Sequence, residues 1–146
     1  MLIAIIGESC TGKSTLADKL KKDFSAKVYT GKDYLRLAKS PSEAEGIFKN
    51  LLLQSVDGEN VIYVVSENEH LSLLPDGCFR ILVTAELSVI KERFAARMRG
   101  NLPAPVAAML EKNHGKFDGI QCDYKYKDDY QALKDKITEL PKLRKF

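Results

Sequence analysis

The run "LIAII" at residues 2–6 leads directly into "GESCTGKS" at residues 7–14, and this junction leaves few architectures open. Five consecutive apolar residues suit a strand buried on both faces, the condition of a central strand in a parallel sheet. Gly7 and Gly12 then let the chain turn tightly. From Lys13 onward the apolar residues Leu16, Ala17, Leu20 and Phe24 share one face of a helix-period segment. A strand, a glycine-rich turn and a helix in that order, with the spacing G-x-x-x-x-G-K-[ST], form a phosphate-binding loop. The backbone N–H groups of such a turn converge, and the positive end of the helix dipole lies behind them, so main chain alone can hold a polyphosphate. Glu8, Ser9, Cys10, Thr11, Gly12, Lys13, Ser14 and Thr15 are therefore expected to surround the phosphates of a nucleotide. Lys13 would bridge the outer phosphates, and the Ser14 hydroxyl would ligate a magnesium ion. Cys10 occupies a free position of the pattern and reads as a small filler, not a nucleophile.

The remaining sequence repeats the alternation of strand and helix. "KVYT" (27–30), "VIYVV" (61–65), "RILVT" (80–84) and "GIQCDYKY" (119–126) read as further strands. Helices are expected over 13–24, 40–54, 87–99 and 130–140. The second opens on Ser40, Pro41 and Glu43, a capping box with proline at the first helical position, and carries Ile47 and Leu51. Leu87, Ile90, Phe94 and Met98 form the stripe of the third, and Leu133, Ile137 and Leu140 that of the fourth. Strands alternating with amphipathic helices specify an α/β fold, a parallel sheet with helices on both faces. With 146 residues, 45% of them hydrophobic, the chain is one domain spanning 1–146. The segment 99–105 and the basic tail "KLRKF" (142–146) are the expected mobile pieces.

Composition narrows the partners. The net charge of +3, from 23 basic and 20 acidic residues, is too small to indicate a nucleic acid and does not repel small polyanions. Cys10, Cys78 and Cys122 form neither a disulfide set nor a zinc pattern. The first residues show no basic stretch with a cleavage site, and no apolar run approaches the roughly 18 residues of a membrane span. A cytoplasmic, soluble protein that binds neither nucleic acid nor membrane is expected. His70 and His114 stand outside any constellation and read as surface or capping residues.

Three further stretches carry a resemblance. "VYTGKDYLR" (28–36) is similar to the Thr-Gly-Asp-x-x-Arg segment of adenylate kinases, with Lys32 inserted between Gly31 and Asp33. This implies that Thr30, Gly31 and Asp33 line a phosphate acceptor and that Arg36 grips its phosphate or carboxylate with a planar fork. "RILVTAELSVIKERFAARMRG" (80–100) resembles the nucleoside monophosphate kinase segment in which a strand passes into a helix ending in an arginine-bearing lid, here around 93–105. Arg93 and Arg97, four apart on one helix face and joined by Arg99, would cover the transferring phosphoryl group. "MLEKNHGKFDGIQCDYKYKDDYQALKDKI" (109–137) is similar in its order of elements to the end of guanylate kinases: a helix, Phe-Asp leading a last strand, an acidic turn and a closing helix. That places Lys127 and Asp128 beside the purine. The arginine-rich stretch usual beyond the lid is replaced by "NLPAPVAAMLEKN".

The end of "VIYVVSENE" points into the phosphate site in such a kinase, so Glu67 is the best-placed acid to assist the metal or accept a proton, with Asp33 the alternative for that role. Ser66 stands where a Walker B aspartate would follow the strand. Together these resemblances imply a three-layer P-loop NTPase fold with a five-stranded parallel sheet. They also imply an ATP-dependent, magnesium-dependent phosphotransferase acting on a small acceptor, foremost a nucleoside monophosphate. A kinase of a non-nucleotide metabolite, as in shikimate kinases, and a nucleotide-binding regulatory ATPase remain open, as does the oligomeric state.

Overall fold

The computed structural model describes residues 1–144. Ten regular elements follow in chain order: β1 (Leu2–Ile6), α1 (Lys13–Phe24), β2 (Lys27–Thr30), α2 (Pro41–Ser55), β3 (Val61–Val65), β4 (Phe79–Val83), α3 (Leu87–Arg97), α4 (Ala104–Asn113), β5 (Tyr124–Tyr126) and α5 (Tyr130–Arg144). Two 3-10 helices, Asp33–Leu37 and Asn68–Leu73, follow β2 and β3. The sheet is entirely parallel in the order β2-β3-β1-β4-β5, with Leu2 opposite Val61 and Ile6 opposite both Val65 and Leu82. All strands thus end on the same edge, and β1 delivers the glycine-rich turn to the middle of it. Ligands of open α/β sheets bind on that edge.

Alternation along β1 divides the core in two. Leu2, Ala4 and Ile6 face one layer with Phe48 and Leu52 of α2, Tyr63 and Phe117. Ile3 and Ile5 face the other layer with Leu16 and Leu20 of α1, Ile81, and Leu133 and Ile137 of α5. A buried strand that contributes to both layers must be apolar at every position, which is why "LIAII" carries no polar residue. α2 begins as the sequence indicates: the Ser40 hydroxyl accepts the Glu43 N–H at 3.3 Å, with Pro41 at the first helical position.

Several boundaries differ from the sequence reading. The last strand covers only Tyr124–Tyr126, not 119–126. Gly115 and Gly119 both adopt positive φ, so the chain runs from α4 to β5 through turns, and Phe117 and Asp118 lead those turns and not the strand. The fourth strand runs Phe79–Val83 and α3 stops at Arg97. The segment 99–105 contains the start of α4. Of the basic tail, residues 142–144 continue α5, and residues 145–146 lie outside the described residues. His70 is not a surface residue but buried at 4% exposure, its ring edge-on to Tyr34. Among the described residues no helix is long and apolar enough to cross a membrane.

Candidate active site

The loop from Gly7 to Ser14 is shaped by two glycines for different reasons. A Cβ on Gly7 would lie 2.5 Å from the Val83 carbonyl oxygen and 2.9 Å from Thr11 Oγ1, so β4 leaves room there only for backbone. Gly12 caps α1 at φ +100°, a conformation that side chains disfavour. Cys10 also adopts positive φ, and its side chain packs with Ile90 of α3 and Leu110 of α4 in a small apolar cluster. The cysteine is a filler, as its position in the motif suggests.

Inside the loop, the Glu8 carbonyl accepts two bonds, from Thr11 Oγ1 at 2.8 Å and from Lys13 Nζ. Lys13 is 6% exposed. Burial pushes its ammonium down to a pKa of about 8, and the nearby positive charges of Lys116 and Arg97 press the same way. Lys13, Lys116 and Arg97 thus act on one another here, with Lys116 paired to Glu67 at 3.5 Å. Arg93 Nη1 donates to the Cys10 carbonyl at 3.1 Å, so α3 is pinned across the top of the loop.

Two cavities meet at this point. The larger, about 610 Å³, runs from Cys10, Thr11 and Gly12 past Thr84, Glu86, Arg93 and Arg97 to Lys127 and Asp128. The smaller, about 150 Å³, is lined by Ser9, Lys13 and Ser14 of the loop, by Thr30 and Ser66 at the ends of β2 and β3, and by Arg97. Arg97, Cys10, Gly12 and Thr15 border both. A third cavity of about 320 Å³ lies beyond the ends of β2 and β3, among Lys32, Tyr34, Glu45, Glu69, His70 and Ser72.

The structure therefore brings Ser9, Cys10, Thr11, Gly12, Lys13, Ser14, Thr15, Thr30, Arg93, Arg97, Lys127 and Asp128 to one connected site. Others go elsewhere. The Asp33 carboxylate accepts the Thr30 N–H at 2.9 Å and so builds the turn after β2. Gly31, at φ +52°, gives its N–H to the Val64 carbonyl and accepts the Tyr63 hydroxyl at 2.7 Å. Arg36 is exposed and lines none of the three cavities. Glu67 is exposed and ion-paired with Lys116 at 3.5 Å. The Glu8 side chain turns away from the loop's concave face toward His114 and Gly115.

Lys116 is the charged residue that sequence reasoning missed. Its only local signal is the Gly-Lys pair directly after α4, because its approach to Lys13 is made by the chain's return past the loop. As for a metal, Ser14, Thr30 and Ser66 supply hydroxyl oxygens around the smaller cavity, and among the described residues no group of three His, Cys, Asp or Glu forms a cage. Such a donor set fits magnesium, which takes few protein ligands and completes its shell with phosphate oxygens and water.

No protein-family model matches the sequence, and no curated protein matches it closely enough to be called a relative. Solved structures do match its shape. Shikimate kinase from Bacteroides thetaiotaomicron superposes with a TM-score of 0.61 at 14% identity, covering 100% of this chain and 99% of that one. A gluconokinase from Sinorhizobium meliloti 1021 gives 0.59 at 13% identity, with 97% and 92% covered. The YorR protein of Bacillus subtilis, solved with phosphorylated GDP, gives 0.55 at 22% identity, with 99% and 97% covered. The chain shares its fold with these structures. At these identities the likeness is one of fold, and the chemistry must be argued from the residues of this chain.

Proposed function

We propose that the chain is an ATP-dependent kinase of a small molecule. The observation that carries this reading is the position of Arg97, at the border between a large cavity that can take a nucleotide and a small one that faces the ends of β2 and β3. A phosphoryl group passing from donor to acceptor has to cross that border. There it would meet Lys13, Arg97 and the loop N–H groups, fixed positive charge aimed at the oxygens where negative charge spreads in the transition state.

In this reading the β- and γ-phosphates lie along Gly12, Lys13 and Ser14, and the nucleoside extends toward Lys127 and Asp128. Lys13 leaves the Glu8 carbonyl to engage the phosphates. The Ser14 hydroxyl would hold the magnesium ion, whose charge screens the phosphate oxygens when bound. Thr30 and Ser66 face the incoming acceptor, and the apolar cluster of Cys10, Ile90 and Leu110 holds α3 and α4 over the loop as a lid around 93–105.

A nucleoside monophosphate acceptor needs a cation for its own phosphate, and Arg36 lies outside the cavities. The third cavity instead offers two carboxylates, a histidine, a serine and one lysine, groups that suit the hydroxyls of a compact polar metabolite. A non-nucleotide hydroxy compound is therefore the acceptor class that the geometry favours. The test is ADP release from ATP across a panel of nucleoside monophosphates, hydroxy acids and polyols. Acceptor-dependent turnover is the expected result. Slow hydrolysis indifferent to every acceptor would instead favour a regulatory ATPase.

A further inference from the structure

Glu8 is at once a member of the phosphate loop and the anchor of a distant turn. Its carbonyl holds Lys13 and Thr11. Its side chain, only 14% exposed, reaches across to the segment after α4, where Oε1 accepts the Gly115 N–H at 2.7 Å and Oε2 lies 3.2 Å from His114 Nδ1. Nothing in the phosphate-loop pattern requires an acid at this position. The anchored turn is equally specific: Gly115 has φ +83°, and a Cβ there would stand 2.9 Å from Asp118 Oδ2.

The next residue is Lys116. Its ammonium pairs with Glu67 at 3.5 Å and sits 5.2 Å from the centre of the Phe117 ring, which is buried in the core. The lysine is thus held from three directions: by Phe117 below, by Glu67 in front, and by Glu8 through the backbone immediately before it. Its charge is among those felt by Lys13.

We infer that Glu8 is a positioning residue that clamps the His114–Gly115 turn to the phosphate loop, and so fixes Lys116 as a further cation for the donor's phosphates. The inference rests on the kinase reading. A free turn would let the lysine follow Glu67 outward into solvent, whereas the clamped turn presents it to a polyanion without further ordering. When phosphate arrives, Lys116 exchanges Glu67 for it.

The test is a double-mutant cycle on the affinity for ATP with magnesium, measured by calorimetry on the full chain: wild type, Glu8→Ala, Lys116→Ala and the pair. Each single variant should bind about tenfold more weakly, and the pair no more than about twofold worse than either single, because both remove one contact. Glu8→Gln keeps a carbonyl acceptor for the Gly115 N–H and should stay within about threefold of wild type. Glu8→Met keeps the bulk but offers no acceptor to the Gly115 N–H and should bind as weakly as Glu8→Ala, whereas a Glu8→Met protein that binds like wild type would overturn the clamp. Independent losses that multiply in the pair, or a Glu8→Ala protein that binds like wild type, would overturn the clamp and leave the kinase reading standing. A wild-type chain that fails to bind ATP would remove the kinase reading itself, and this inference with it.

Discussion

Lys13 holds its ammonium out of water against the carbonyl of its own loop, and its low pKa follows from that burial first and from neighbouring cations second. The sign of the linkage is definite. In the unfolded chain the lysine titrates near 10.5, in the folded one near 8, so below pH 8 the folded protein bears the full cost of a desolvated charge. Lys13→Met should therefore raise stability at pH 7, by roughly 1–3 kcal/mol, with the advantage shrinking between pH 8 and 10.5 as the folded wild type sheds its proton. Urea unfolding of both proteins at pH 7 and pH 10 checks this; a gap that widens with pH contradicts it. A bound polyphosphate would draw the pKa back up, so ATP binding at pH 8 should take up protons. Calorimetry in two buffers of different ionisation enthalpy reads the uptake directly, and identical heats would contradict it. The phosphate role proposed for Lys13 rests on the seven other residues of the pattern from Gly7 to Ser14. Its titration was not legible there, because its burial arises only in the folded loop, and Lys116 and Arg97 come to it from distant parts of the chain.

At the scale of elements, α3 carries two arginines with different attachments. Arg93 is already bonded to the Cys10 carbonyl, whereas Arg97 borders both cavities. Arg93→Ala should accordingly weaken ATP binding, by about tenfold, since it shapes the loop before any ligand arrives. Arg97→Ala should leave ATP affinity close to wild type and lower the saturated rate about a hundredfold, as for a group engaged mainly in the transition state. ATP affinity and saturated turnover, measured side by side, separate the two; equal effects on both parameters would remove the distinction. Periodicity revealed α1, α2, α3 and α5 because each has a clear apolar stripe. It did not reveal the start of α4 at Ala104, which falls in the segment 99–105 expected to be mobile, although the resemblance to guanylate kinases implies a helix ahead of Phe117. Pro103 is the N-cap of α4 and Pro105 falls in its first turn, where a missing N–H leaves no bond unmade. The last strand is shorter than its composition suggests because Ile120 and Cys122 pack onto the core from irregular chain and not from a ladder. Asp33 and Arg36 were read from a segment whose spacing is off by one residue, and the inserted Lys32 marks where the chain leaves β2 for a 3-10 helix.

Across the whole molecule the two core layers meet at β1, and the layer nearer the third cavity is held by aromatic rings. Phe48 lies 5.3 Å from Tyr29, 5.2 Å from Tyr34 and 4.8 Å from Tyr63, measured between ring centres. Phe48→Ala should destabilise the fold by about 3–5 kcal/mol and loosen the 3-10 helix that carries Tyr34 into the third cavity. Thermal unfolding gives the first effect, and a raised Michaelis constant for the acceptor with ATP affinity intact gives the second; Phe48→Leu should recover most of the stability. The α/β architecture was legible because the three central strands β1, β3 and β4 are near-continuous apolar runs, whereas the edge strands β2 and β5 are short and half-exposed. The candidate site depends on side chains that only the folded chain assembles. The most direct measurement is therefore the fate of the γ-phosphate itself, followed with a radiolabel in the presence of the best acceptor from the panel. The kinase reading predicts label in a small organic product in step with ADP, and its loss in Lys13→Met. Label recovered only as inorganic phosphate, or undiminished transfer by Lys13→Met, would contradict it.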